Sequence, residues 1–129
     1  MEQRKTFRKA ERLCSKKQIE ALFAGGNRSL SAYPLRVVYN THPLHPSPVQ
    51  VLISVSKRHF KHAVDRNRIK RLIREAYRLN RHLLTETLTD KTLNIAFIWM
   101  SDEMGDFCTV ESHVKNLLQR IVEGEKKKE

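Results

Sequence analysis

Apolar residues recur along this chain with two spacings. Leu35, Val37 and Tyr39 fall on alternate positions, the period of a strand with one face inward. Val49 to Ser56 is apolar enough for a central strand, and Leu93 to Trp99 reads as a third, well-buried one. His42 to Pro48, rich in proline, reads as the loop between the first two. Other segments follow a helical period. Ile19, Leu22 and Phe23 form one stripe, entered through Ser15 and Gln18 as in a capping box and ended by Gly25-Gly26. Val64 to about Leu84 is the longest helix, and Met104 to Phe107 is a turn around Gly105. A last helix, Val110 to Val122, turns Val114, Leu117, Leu118 and Ile121 inward. The expected fold is a single α+β domain over residues 1–129, with a sheet of three or four strands and frayed tails at 1–7 and 123–129.

The long helix has two faces. With about 100° per residue, Ile69, Leu72, Ala76, Leu79 and Leu83 share an arc of about 90°, the side expected to pack on the sheet. Arg66, Lys70, Arg71, Arg74, Arg78 and Arg81 share an outer arc of roughly 140°, with Tyr77 at the border and Arg68 apart from the row. A solvated helix face normally mixes signs at i, i+4; within this row only Glu75 does so. Arginine predominates, and its planar fork suits phosphate oxygens.

Charge along the whole chain sharpens this. The net charge is +11, a polyanion binder's balance, with nucleic acid ahead of an anionic membrane. Residues 57–82 hold ten basic against two acidic groups, residues 1–28 eight against three, and residues 83–129 six against nine. An excess gathered into two segments marks a binding face, not even repulsion for solubility. Hydrophobic content of 40% supports an ordinary core.

Several classes are excluded. Cys14 and Cys108 lie far apart without ligand spacing, against a disulfide scaffold or a zinc finger; buried thiols in a reducing cytosol are expected. Met1 to Lys17 has no apolar core of a signal peptide, and the uncharged run Val37 to Ser56 is broken by Pro43, Pro46 and Pro48, so no membrane span is expected. The four glycines form no phosphate loop. Asp102, Glu103, Asp106 and Glu111 read as a solvated turn and helix start, not a two-metal cluster. His59 and His62, lacking a third ligand nearby, read as turn residues or phosphate partners when protonated.

Ile53-Ser54-Val55-Ser56-Lys57-Arg58, followed by Ala63-Val64-Asp65-Arg66-Asn67-Arg68-Ile69-Lys70-Arg71-Leu72-Ile73-Arg74-Glu75-Ala76, resembles the protein subunit of bacterial ribonuclease P. Arg12-Leu13 and the apolar helix face ending at Phe23 match as well, so the resemblance spans about residues 8–122. It implies an αβββαβα sandwich with a left-handed crossover, against the usual right-handed rule. It also implies a cytoplasmic subunit that assists a catalytic RNA in removing the 5′ leader of precursor tRNA. Catalysis and most of the Mg2+ belong to the RNA, so no catalytic or metal-binding residue is expected on the chain. The implied partners are that RNA and precursor tRNA, with no membrane and no protein partner. The implied RNA-facing set is Lys57, Arg58, Arg66, Asn67, Arg68, Lys70, Arg71 and Arg74. The implied leader cleft, between the first helix and the sheet, is Arg12, Ile19, Phe23, Leu35, Val37 and Tyr39. Arg8, Lys9 and Arg12 flank it as cations able to track a backbone past the rings. Ile19 stands where the family often has an aromatic, and the turn 58–62 lacks glycine. A general RNA-binding ribosomal or assembly protein, or a metal-dependent nuclease acting alone, are the competing readings.

Overall fold

The most apolar strand lies in the interior of the sheet. In the computed structural model, which describes residues 12–13, 16–24, 27–43, 49–86 and 91–126, the elements follow in the order α1 (Lys16–Phe23), β1 (Arg28–Ala32), β2 (Leu35–Pro43), β3 (Gln50–Val55), α2 (Ala63–Asn80), α3 (His82–Thr85), β4 (Lys91–Trp99) and α4 (Phe107–Lys126). The sheet order is β1-β2-β4-β3. β2 runs antiparallel to β1 and β4, while β3 and β4 are parallel neighbours joined through α2 and α3. This is the α+β arrangement expected, with one short extra helix, but β3, whose apolar run suggested a central strand, lies at the edge of the sheet.

Side chains alternate across the sheet, and both faces are covered. Leu35, Val37 and Tyr39 of β2, Val51 and Val55 of β3, and Leu93, Ile95, Phe97 and Trp99 of β4 make the floor on which α2 and α4 pack. The opposite face carries Val38 and Ala96, buried against Leu13 and Leu22, with Ile19, Leu52 and Ile98 at the margin. The layers are therefore α1, sheet, and α2 with α4.

Several elements differ from expectation. β1 was not legible by periodicity, since Ser29 and Ser31 interrupt so short a strand. β2 continues through Thr41, His42 and Pro43, paired with Leu93, Thr92 and Lys91, where a loop was expected. The expected long helix ends at Asn80, whose Nδ2 donates to the Ala76 carbonyl at 2.8 Å. A side chain competing for that acceptor weakens the helical ladder, and the chain restarts as α3. The inward arc of α2 is Ile69, Ile73, Ala76, Tyr77 and Asn80. It is turned roughly 60–70° from the expected arc of Ile69, Leu72, Ala76, Leu79 and Leu83, because α2 must meet both the sheet and α4. Tyr77 is a core residue, its ring 6.0 Å from that of Phe97. α4 begins where Asp106 accepts the Thr109 backbone N–H at 2.7 Å; hydrogen bonds from the Thr109 side chain first and from that N–H second hold the Asp106 carboxyl below its usual range. It runs on through Lys126 with Glu125 buried, past the end expected at Val122, and a side chain at Gly124 would meet the Tyr39 hydroxyl. Cys108 is exposed, on the outer side of the first turn of α4, and is not a buried thiol. Ser15, Gly25-Gly26, Cys14, residues 44–48 of the expected loop, residues 1–11 with Arg8 and Lys9, and residues 127–129 lie outside the described residues. Asn27 ends α1, its Nδ2 donating to the carbonyls of Ala21 and Leu22, both at 2.7 Å.

The rotated arc gives a direct test. Ile73→Ala should cost about 2–5 kcal/mol in urea unfolding, and Leu79→Ala, at a half-exposed position, clearly less. Equal costs would place the helix in the orientation that its leucines suggest.

Candidate nucleic-acid interface

The turn after β3 is built to be stiff. Ser56 accepts the backbone N–H groups of His59 and Phe60 on its carbonyl, at 3.1 and 3.2 Å, and that of Arg58 on its hydroxyl at 3.0 Å. Phe60 anchors the turn in the core. Arg66, one turn into α2, reaches back and donates through one Nη to the carbonyls of Phe60 and Lys61, at 2.8 and 2.9 Å. Arg66 thus faces the turn and is not a side chain that simply projects outward.

Around this scaffold the cations are exposed. Lys57, Arg58, Lys61, Asn67, Arg68 and Arg71 are open to solvent, and Lys70 and Arg74 are half-buried. Further along α2, Arg78 donates twice to Glu75, through Nε at 3.2 Å and through Nη2 to Oε1. That hydrogen bond holds the Glu75 carboxyl below its usual range. The row is neutralised near its C-terminal end and keeps its positive charge over the first three turns. Spacing alone had placed Arg78 with the others.

Arg12 belongs to the same side. The Leu13 N–H donates to the Val51 carbonyl at 2.9 Å, so Arg12-Leu13 lies along the edge of β3. A groove of about 200 Å³ runs there between Arg12, β3, Lys70 and Arg74. Arg12 therefore extends the α2 cation surface instead of lining a cleft under α1.

The expected cleft set does not stay together. Ile19 packs at the margin of the α1 layer, and Phe23, at the end of α1, is 48% exposed. Leu35, Val37 and Tyr39 are fully buried on the opposite face of the sheet, beneath α2 and α4. Their alternation predicts an inward face, and they do point inward, but on the side of the sheet away from α1. What the sheet shows beside α1 is the other parity. Ser31, Arg36, Ile98 and Ser54 are register partners in a row across all four strands, each exposed or half-exposed. Arg36 is held by its Nε donating to the Ser29 hydroxyl at 2.9 Å. It is also the single charged residue of segment 29–56, and that lone charge at the opposite parity was the available signal.

The acidic residues near α4 are dispersed. Asp102 meets His59, Asp106 caps α4, and Glu111 receives Asn80 at 3.4 Å. Among the described residues no group of three or more His, Cys, Asp or Glu is placed to hold a metal ion, and no helix is long and apolar enough to cross a membrane.

Comparison with known proteins agrees with this geometry. Residues 7–122 match the family model described as Ribonuclease P. Over 116 residues the chain is 46% identical to the ribonuclease P protein component of Porphyromonas gingivalis, covering 88% of this chain and 84% of that one. It is 31% identical to the protein component of Chlorobaculum tepidum, covering 83% and 77%. The solved RNase P protein from Thermotoga maritima superposes with a TM-score of 0.69 at 26% identity, covering 85% of this chain and 96% of that one. With its fold, its basic helix and the motif from Ile53 to Ala76 all in agreement, the chain belongs to the ribonuclease P protein family, the bacterial subunits that assist an RNA-catalysed endoribonuclease in processing the 5′ end of precursor tRNA.

Proposed function

We propose that this chain serves its holoenzyme with two separate RNA-binding surfaces. The first is the turn after β3 with the first three turns of α2: Lys57, Arg58, Asn67, Arg68, Lys70, Arg71 and Arg74, extended by Arg12 across the β3 edge. It binds the phosphate backbone of the catalytic RNA, while Arg66 holds the turn that presents Lys57 and Arg58. The second is the open strip of the sheet beside α1, with Arg36, Ile98 and Ser54 as its floor and Phe23 as an aromatic at its border. It receives the single-stranded 5′ leader of precursor tRNA. Mg2+ is held mainly by the RNA, and the holoenzyme works in the cytoplasm.

The observation that carries this reading is the separation of charge. The exposed cations gather on one side of α2, where Asp65 and Glu75 are the only acidic residues of the helix and Glu75 is taken by Arg78. Like charges held on one rigid helix repel one another, and a polyanion relieves that cost. Six-residue spans of this helix rise about 9 Å, so several phosphates of one strand lie within reach of neighbouring turns. The strip beside α1 has a different character: one arginine, a serine pair and apolar surface, suited to a base-tolerant track for a single strand.

Salt dependence tests the first surface. Arg68→Ala and Arg71→Ala should each weaken binding to the catalytic RNA and lower the slope of log affinity against log salt by about one unit or less, without changing the melting temperature. Arg66→Ala should lose affinity and also melt earlier, since two carbonyls of the turn lose their donor. Unchanged affinity and slope for Arg68→Ala and Arg71→Ala would make this basic surface a solvated face.

Leader length tests the second. A stacked base contributes about 1–3 kcal/mol, which is roughly fivefold to a hundredfold in affinity. Phe23→Leu should weaken binding of a precursor carrying a leader of several nucleotides and leave mature tRNA unaffected. Tyr39→Phe, at a buried ring, should leave the preference for precursor over mature tRNA as it is. A leader-specific loss in Tyr39→Phe, with none in Phe23→Leu, would return the cleft to the other face of the sheet.

A further inference from the structure

The turn before α2 touches the connection between β4 and α4 through one polar pair. His59 Nδ1 lies 2.7 Å from Asp102 Oδ1, a partner 43 residues away in sequence. The imidazole is largely shielded, at 23% exposure, and the carboxylate is open, at 79%. An ionised carboxylate only accepts, so the hydrogen of this bond sits on Nδ1. Nε2 lies across the ring and points away from Asp102. The ring itself cannot drift far, because the His59 backbone is bound to Ser56 and the next residue, Phe60, is buried.

An acid in this position needs an explanation. Asp102 meets a turn rich in Lys and Arg, yet its ion-pair partner among the described residues is an imidazole and not Lys or Arg. The pairing consumes none of the permanent charges on the turn. It orients one ring and fixes which nitrogen carries the hydrogen, the arrangement by which a carboxylate prepares a histidine for a second ligand.

We propose that His59 binds a phosphodiester of the catalytic RNA through Nε2, as an imidazolium, with Asp102 as its positioning residue. The inference rests on reading the turn and α2 as the surface for that RNA. Nδ1–H donates to the Asp102 carboxylate and Nε2–H to a phosphate oxygen, so two anions flank one cation. The neutral ring has no hydrogen on Nε2 and takes one proton from solvent as the RNA binds. Binding is therefore coupled to proton uptake and strengthens as the medium becomes more acidic. Charged and titratable groups on the elements meeting at His59 pull in both directions. Lys57, Arg58, Lys61 and His62 on the turn and Arg66 on α2 oppose a further cation; Asp65 on α2 and Asp102 and Glu103 on the β4–α4 connection favour it.

The test uses the full chain and a ribonuclease P RNA transcript, with monovalent salt and Mg2+ held constant between pH 5.5 and 8. The wild type should bind several-fold tighter at the acid end than at the alkaline end. His59→Gln should lose most of that dependence and bind at every pH about as the wild type does at pH 8. His62→Gln should keep the wild-type dependence. Asp102→Asn retains an oxygen that accepts from Nδ1–H, so it keeps the tie between the two turns but not the negative charge. It should bind more weakly near pH 6 and need a lower pH to reach the wild-type affinity. Full pH dependence in His59→Gln, or an Asp102→Asn profile that coincides with the wild type, would overturn the inference and leave the pair a structural tie. In either of those cases a loss of affinity in Arg71→Ala would keep the helix reading intact. If Arg68→Ala and Arg71→Ala bind as the wild type does, the helix reading fails and the His59 contact fails with it.

Discussion

The parallel pairing of β3 with β4 is the constraint on which the rest of the molecule depends. Parallel neighbours cannot be joined by a tight turn, so a long crossover must pass over one face of the sheet. Here α2 is that crossover, and it is held by Ile69, Ile73, Ala76 and Tyr77 over Phe97 and its neighbours. Once that stripe is buried, the orientation of every other α2 residue follows from the helical period. Lys70 and Arg74 flank the β3 edge, Asn67 and Arg71 stand outward, and Arg66 turns back toward the residues before the helix. A cation surface on this helix is thus a consequence of packing on its other side.

The same pairing decides what the opposite face of the sheet can be. α4 shares the crossover's face, so α1 is left to cover the other side, and at eight residues it is too short to cover all of it. The strip that remains crosses four strands in register and mixes Arg36, Ile98 and two serines. In the proposed reading, a phosphate-binding surface and a single-strand track lie on different sides of one thin sheet, each served by its own helix. Mutations at one surface then act on the other only through the core.

Much of this was legible in the chain. The apolar run from Leu93 to Trp99 made an interior strand the natural reading, and the arginine row with its uneven charge pointed to nucleic acid without any tertiary information. The motif from Ile53 to Ala76 narrowed that to one family. The faces were harder. β2 alternates correctly, but with helices on both sides of the sheet, alternation says which residues share a face and not which helix that face meets; Leu35, Val37 and Tyr39 were assigned to the wrong one. Leucines at 72, 79 and 83 sketch an apolar side as convincing as the true one through Ile73 and Tyr77, and Leu72 on α2 and Leu83 on α3 do pack partly buried against the core. Bonds such as Arg66 to the Phe60 carbonyl, Asn27 to the end of α1 and His59 to Asp102 join backbone or distant residues, and no periodicity encodes them.

The central claim is that the two sides of the sheet meet different RNAs, and site-directed cross-linking in the assembled holoenzyme tests it most directly. With Cys14 and Cys108 changed to Ser, a photoreactive aryl azide is attached in turn to Ser54→Cys, on the strip beside α1, and to Asn67→Cys, on α2. The account predicts that the probe at 54 labels the leader of a bound precursor tRNA, and that the probe at 67 labels the catalytic RNA. Labelling of the catalytic RNA alone from both positions, or of the leader from 67 and not from 54, would contradict it.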